Sequence, residues 1–424
     1  MNIKLVGLIS LMISFGAVYW FFQPVIQFSN GHPWDAEVYY AMAQQAAAQT
    51  SLSGAKPFIY RFGTSMLVGK LFPANIMLGF SIINGLFGIG IVVSSAIILS
   101  RYLKSYWVVA LLLGLLIMNP NGPARFLGFF PVFTDASALF FITAIFAIGG
   151  SGKTGMLVKT GLLLLTTLGV FFREIVLIAP LSLLMENSYW RYFKKHDDQN
   201  ELTYCLLCSV FLGLLGIAAT HLMVEATGDY TAFSHALFSL SRHIKHPDIF
   251  LLAFFTTYGP VFLILVLNAR YTIKRLSLYP HLFIYTLLVF IIAIVGGTHT
   301  DRFLFWAFPS VLLGLGLVME NAFKQTRLDL SGCLFWSVLV LSQLLAFRAF
   351  TVLPDALIDV LKDTEHSRLP GLVLFAPYGD CASIEQIYST YMGVEQRIIV
   401  LLEYIVLGVF LHLTMPRIIS VDNA

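Results

Sequence analysis

The segment Gly31-His32-Pro33-Trp34-Asp35-Ala36-Glu37-Val38-Tyr39-Tyr40 sets two carboxylates, Asp35 and Glu37, among aromatic side chains. It follows an apolar run from Leu5 to Phe22 that is long enough to cross about 30 Å of hydrocarbon. Only Lys4 precedes that run and no small-residue cleavage site follows it, so it reads as an uncleaved first span rather than a removed leader. Trp and Tyr settle in the headgroup layer, and carboxylates held there suggest chemistry on a lipid-linked substrate. Further charges reach the same level from separate hairpins. Arg61 follows Pro57-Phe58-Ile59-Tyr60, Arg125 and Asp135 flank one turn, Arg173 and Glu174 form a tip, and His299, Asp301 and Arg302 fill another turn. Ionisable groups at a membrane are expensive and tend to be paired or functional.

Composition fixes what must position these residues. The 424 residues are 58% hydrophobic and 12% charged, with a mean hydropathy of +0.81. That is too few charges to clothe a soluble globule, so the chain reads as an integral membrane protein. Apolar windows near 4–22, 75–100, 105–119, 130–149, 156–172, 175–186, 202–224, 249–268, 280–297, 302–320, 331–350 and 397–415 predict about twelve spans. Alternating the sides collects Arg101 and Lys104, Lys153 and Lys159, Arg191 with Lys194 and Lys195, Arg270 with Lys274 and Arg275, and Lys324 with Arg327 on one face. The positive-inside rule makes that face cytoplasmic. Its connections are too short to hold a nucleotide-binding domain. The longer connections, including 23–75 and 351–396, lie outside. The chain is therefore expected to be all-α, a single polytopic transmembrane domain over 1–424. Cys205, Cys208, Cys333 and Cys381 imply neither a disulfide framework nor a metal site.

Residues 35–49 contain no Gly or Pro and are rich in Ala, Gln and Met, which predicts an amphipathic helix in the first outer loop, lying along the membrane. Pro57 to Arg61 then returns the chain to the bilayer. An outer Asp-x-Glu followed by Tyr-Tyr and an Ala-rich helix, then Pro-Phe-x-Tyr-Arg, Thr134-Asp135 entering a span, Arg173-Glu174 opening another and Asp301-Arg302 opening a third together resemble the GT-C superfamily of polytopic glycosyltransferases. The likeness spans most of residues 1–320. It implies an outward-facing active site, a polyprenyl-phosphate-linked sugar donor, and an acidic residue of the first outer loop as catalytic base. Asp35 and Glu37 are the residues that match that last role, with Ala36 between them where the family more commonly has an adjacent acidic pair.

Sugar transfer from a lipid phosphate to a hydroxyl needs a base on the acceptor oxygen and cations on the departing phosphate. Asp35 is the candidate base and Glu37 its support. Arg61, Arg173 and Arg302 are candidate phosphate partners because a guanidinium presents a planar, always-charged fork, and His299 adds a hydrogen bond. Asp135, Glu174, Asp301, Tyr39 and Tyr60 are candidate supporting residues. Each has a structural rival. Asp35 is of the type that caps helices, Arg173 with Glu174 is a possible rim ion pair, and Asp301 with Arg302 is placed to cap a span and snorkel. No cofactor is expected. A divalent metal is compatible with the chemistry, but His221, His235, His243 and His246 lack fixed ligand spacing. The expected partners are the lipid-linked donor, a glycan, lipid or protein acceptor, and membrane lipids, with no nucleic acid.

Two other functions fit the same composition. A secondary transporter or flippase shares the span count, although substrate charges in such proteins lie near the midplane. A lipid-linked glycan polymerase or ligase shares the donor chemistry with a larger acceptor. Short loops, no retention signal and no outer cysteine pairs favour a bacterial inner membrane with the site facing the periplasm or exterior. Labelling of single cysteines from outside is expected to reach position 35 and the 351–396 loop but not position 194; the reverse pattern would remove the case for an outward site.

Overall fold

The structure, a computed structural model, describes residues 3–151, 155–194, 200–297, 299–325, 330–347, 349 and 392–414. The expected last outer loop lies outside the described residues up to position 391. In chain order the helices are α1 (Ile3–Phe22), α2 (Asp35–Ala48), α3 (Gly63–Leu71), α4 (Ile76–Tyr102), α5 (Tyr106–Met118), α6 (Arg125–Phe129), α7 (Asp135–Gly149), α8 (Met156–Phe172), α9 (Ile178–Lys194) and α10 (Asn200–Met223). They continue as α11 (Ala232–Lys245), α12 (Pro247–Tyr258), α13 (Val261–Leu267), α14 (Ala269–Leu276), α15 (Pro280–Val295), α16 (Thr300–Phe305), α17 (Phe308–Gln325), α18 (Leu330–Ala346) and α19 (Val394–Thr414). The protein is nearly all-α. The described strands β1 (Ser53–Ala55) and β2 (Glu225–Thr227) pair in parallel.

Four helices among the described residues are long and apolar enough to cross a membrane: α1, α4, α10 and the 397–414 part of α19. The number rises to six if the bent pairs α12–α13 and α14–α15 each count as one span. Shorter apolar helices, among them α5, α7 and α8, fill other windows read from the sequence. Local chemistry explains several helix starts. Pro247 and Pro280 occupy first-turn positions, where the missing N–H costs nothing. At α5 the Ser105 hydroxyl accepts from Val108 N at 3.4 Å, satisfying an otherwise orphaned donor.

The chain divides into two compact units. The first holds Met1–Arg101, Gly122–Thr231 and Pro280–Leu288. Within it α8 packs on α7 and α10, and α2 packs on α3. The buried stripe of α2 is Ala36, Tyr39, Ala43 and Ala46, a helical spacing. A Cβ on Gly69 of α3 would come within 2.3 Å of the Ala43 carbonyl oxygen, so the two backbones approach as closely as small residues permit. The helix expected in the first outer loop is thus present, with a face committed to α3.

The second unit holds Tyr102–Asn121, Ala232–Tyr279 and Val289–Ala424. Here α17 packs on α5, α13 and α14, α12 packs on α16, and α18 packs on α19. The window read as one span over 249–268 is broken between α12 and α13, which meet at 120°. Gly259 at φ +70 and Pro260 make the break, because proline supplies no N–H and glycine accepts the left-handed backbone. Gln343 of α18 repairs it. Its amide oxygen accepts from Val261 N at 2.8 Å and its amide nitrogen donates to Tyr258 O at 3.1 Å. Asn119 Nδ2 donates to Thr257 O at 2.7 Å. A nearby cavity of about 20 Å³, lined largely by Leu, Val and Phe, has room for roughly one water.

Gln343→Leu leaves a buried N–H and C=O without these partners, a loss of roughly 1–3 kcal/mol for each group left unsatisfied. A lowered unfolding temperature in detergent is expected, with Gln343→Glu intermediate; a Leu variant that melts like the parent would show that Gln343 does not hold the break.

Candidate functional site

Asp35 and Glu37 occupy the first turn of α2, where negative charge complements the helix dipole. The N-cap is Trp34, which makes no side-chain capping bond, so the capping role open to Asp35 falls to a different position. Trp34 sits at φ 54 and ψ −126, a conformation costing about 1–3 kcal/mol in a non-glycine residue. Its ring meets Phe130 edge-on at 6.0 Å, and His32 stacks on Tyr40 at 4.2 Å. Strain of this kind concentrates at functional sites. Asp35 is half-buried and Glu37 exposed. Among the described residues neither carboxylate has a hydrogen-bond or ion-pair partner.

The neighbouring charges are paired, although differently from their sequence adjacency. Arg61 binds Glu174 through two bonds, Nε to Oε2 at 3.2 Å and Nη2 to Oε1 at 2.6 Å. Arg173 instead pairs with Asp135. The backbone at Arg173 is extended, with φ −167 and ψ 134, and successive side chains on an extended chain point to opposite sides. Asp135 opens α7 and Arg173 ends α8, so each charge also complements its own helix dipole. Asn84 of α4 fixes the approach to Asp135 by donating to Pro131 O at 2.6 Å and Phe133 O at 2.8 Å. The Arg61 turn is held by β1 against β2, by Lys56 N donating to Thr227 O at 2.9 Å, and by Tyr60 stacking on His221 at 3.9 Å.

Burial opposes the charge on Arg61, but Glu174 and then Tyr39 outweigh it, so its pKa lies above the ordinary value. Burial would raise the Glu174 carboxyl, yet Arg61 and, more weakly, Arg173 hold it at about 2. A carboxylate with a lowered pKa stabilises the fold above its unfolded value of 4.5 and loses that contribution as pH falls towards 2. The Glu174 side chain is 49% exposed, so solvent screens much of this effect. Tyr39 also stands one turn after Asp35, about 6 Å along the axis of α2. Arg125 is buried, with its guanidinium over the Tyr19 ring at 6.0 Å.

The expected residues His299, Asp301 and Arg302 belong to the second unit. Asp301 is fully buried and takes a hydrogen bond from Thr256, while its backbone oxygen accepts from Thr257 at 3.0 Å. It therefore holds α16 to α12. The turn before α16 is bound by two residues of α11 that sequence reasoning missed as a pair. Arg242 of α11 donates to Gly297 O at 3.1 Å and to Thr300 Oγ1 at 3.3 Å. His243 Nε2 lies 3.1 Å from the same hydroxyl. Burial, then Arg302, then Arg242 hold His299 down to about 3. Burial and then Arg242 hold His243 down to about 4. Both imidazoles are neutral at physiological pH, so this turn offers arginine charge and neutral ring nitrogens, a combination suited to an anion. Among the described residues no group of three or more His, Cys, Asp or Glu is arranged to hold a metal ion.

Comparison with protein-family models, with curated proteins and with solved structures gives no match.

Arg173→Leu strands the buried Asp135 charge, which costs about 3–5 kcal/mol. The unfolding midpoint is expected to fall sharply and to recover in part when Asp135→Leu is added. Equal destabilisation by the single and double variants would show that the pair is not coupled.

Proposed function

We propose that this protein is a membrane-embedded glycosyltransferase that moves a sugar from a polyprenyl-phosphate-linked donor to a hydroxyl acceptor, with Asp35 as general base. The observation that carries the reading is the contrast among carboxylates in the first unit: Glu174 and Asp135 are bound by Arg61 and Arg173, whereas Asp35 and Glu37 have no such partner among the described residues. A base must accept a proton, and a carboxylate held by a guanidinium does so less readily. Asp35 takes the acceptor hydroxyl proton as the acceptor oxygen bonds to the anomeric carbon. The bond from that carbon to the phosphate oxygen breaks, and its electron pair leaves with the phosphate. Glu37 orients the acceptor. A guanidinium has five N–H donors, and Glu174 takes two from Arg61, so Arg61 bridges carboxylate and phosphate while Arg173 adds charge. In the second unit, Arg302 and His299, joined by Arg242, supply a separate site for an anionic headgroup.

The reading includes about twelve crossings of a bacterial inner membrane with Asp35 on the outer side. The pairing of β1 with β2 supports the crossing pattern: residues 53–55 and 225–227 share a face, which requires an even number of crossings between them, and the hydropathy windows between them agree. A carrier or flippase is the second reading. The break between α12 and α13 favours it, since discontinuous helices often build transport sites.

Asp35→Asn preserves shape and removes the base. It is expected to slow release of polyprenyl phosphate from polyprenyl-phosphate sugars in proteoliposomes by about 10²–10⁴-fold, without lowering the melting temperature. Near-normal turnover would reduce Asp35 to a helix-dipole residue. Donor movement across the bilayer without sugar transfer would select the carrier.

A further inference from the structure

The sequence places its amphipathic helix at α2; outside the long apolar helices, α11 too carries an uncovered apolar stripe. Phe233, Leu237, Leu240 and Ile244 follow one another at helical spacing and are 74%, 50%, 38% and 73% exposed. Ser239 and His243 are buried on a neighbouring face. Ser234, Ser241 and Lys245 are exposed on the other flank of the stripe, beside Phe238 at 60%. A helix of 14 residues is about 21 Å long, too short to cross about 30 Å of hydrocarbon. Its serines, histidines, Arg242 and Lys245 would not enter that layer in any case.

We propose that α11 is an interfacial helix that lies in the plane of the bilayer, with the Phe233–Leu237–Leu240–Ile244 stripe in the acyl boundary and Lys245 among the headgroups. The occupant of the stripe is lipid for a reason of continuity. One residue after α11 the chain enters α12, which with α13 is apolar enough to form a broken span. Leu251 of α12, seven residues after Ile244 and beyond the break at His246, is itself 55% exposed, so both helices present apolar surface. A short amphipathic helix with basic residues and large apolar side chains is stable at this depth. The opposite attachment is protein. Arg242 and His243 bond the Gly297–Thr300 turn, so the bilayer fixes α11 from one side and α16 from another. Seated in this way, α11 holds His299 and Arg302 near the level of lipid phosphates. The proposal does not depend on the glycosyltransferase reading.

Nitroxides placed singly along positions 233–245, in the full chain lacking native cysteines and reconstituted in nanodiscs, test this orientation. Oxygen collisions are expected to dominate at 233, 237, 240 and 244, and a water-soluble nickel chelate to dominate at 234, 241 and 245. Nickel access along the whole stripe overturns the proposal. Exclusion of both reagents from the stripe also overturns it, because another copy or partner then covers the helix. The unmodified chain provides a check free of substitutions: diazirine lipids are expected to crosslink within the 232–245 peptide, and their absence there counts against a lipid contact.

Discussion

The ion pair between Arg173 and Asp135 is the contact on which the first unit depends. It joins the C-terminal end of α8 to the N-terminal end of α7, so each charge is stabilised by its partner and by the helix that bears it. With both residues buried, removing either leaves an uncompensated charge. The pair leaves Glu174 available to Arg61, and that second bond anchors the segment between α2 and α3. Tyr39, on the same helix as Asp35 and Glu37, lies within electrostatic reach of Arg61.

The second unit solves a different problem with neutral groups. Breaking a helix within an apolar stretch exposes backbone donors and acceptors that lipid cannot satisfy. Gln343 and Asn119 meet that demand by bonding the backbone of Tyr258, Val261 and Thr257. Polar residues that look like candidate ligands in the sequence are therefore consumed by the backbone and by one another.

Several elements were legible in the sequence. The windows at 4–22, 75–100, 202–224 and 397–415 correspond to α1, α4, α10 and α19, because an uninterrupted apolar run has few alternatives to a helix. The helix starting at Asp35 was legible from its composition. Charge partners were not. Arg61 and Glu174 are 113 positions apart, and nothing local distinguishes Arg173–Glu174 neighbours that pair from neighbours that diverge on an extended backbone. The Gly259-Pro260 break carried a visible signal that hydropathy averaging conceals. So did the spacing of α11, which falls between the apolar windows 202–224 and 249–268. Arg242 and His243 gain their role from Thr300, a distant partner that only the fold supplies.

The short parallel pair of β1 and β2 has a consequence for biosynthesis. Ser53–Ala55 emerges early, but its partner Glu225–Thr227 is made only after the intervening helices have been threaded. At ~5–20 residues per second, that interval is on the order of ten seconds or more. During it the segment bearing Arg61 lacks both its strand partner and, for most of the time, Glu174. The nascent chain thus carries Asp35 and Glu37 well before the frame around them closes, and the first unit is complete only once Pro280–Leu288 has followed α10 and β2.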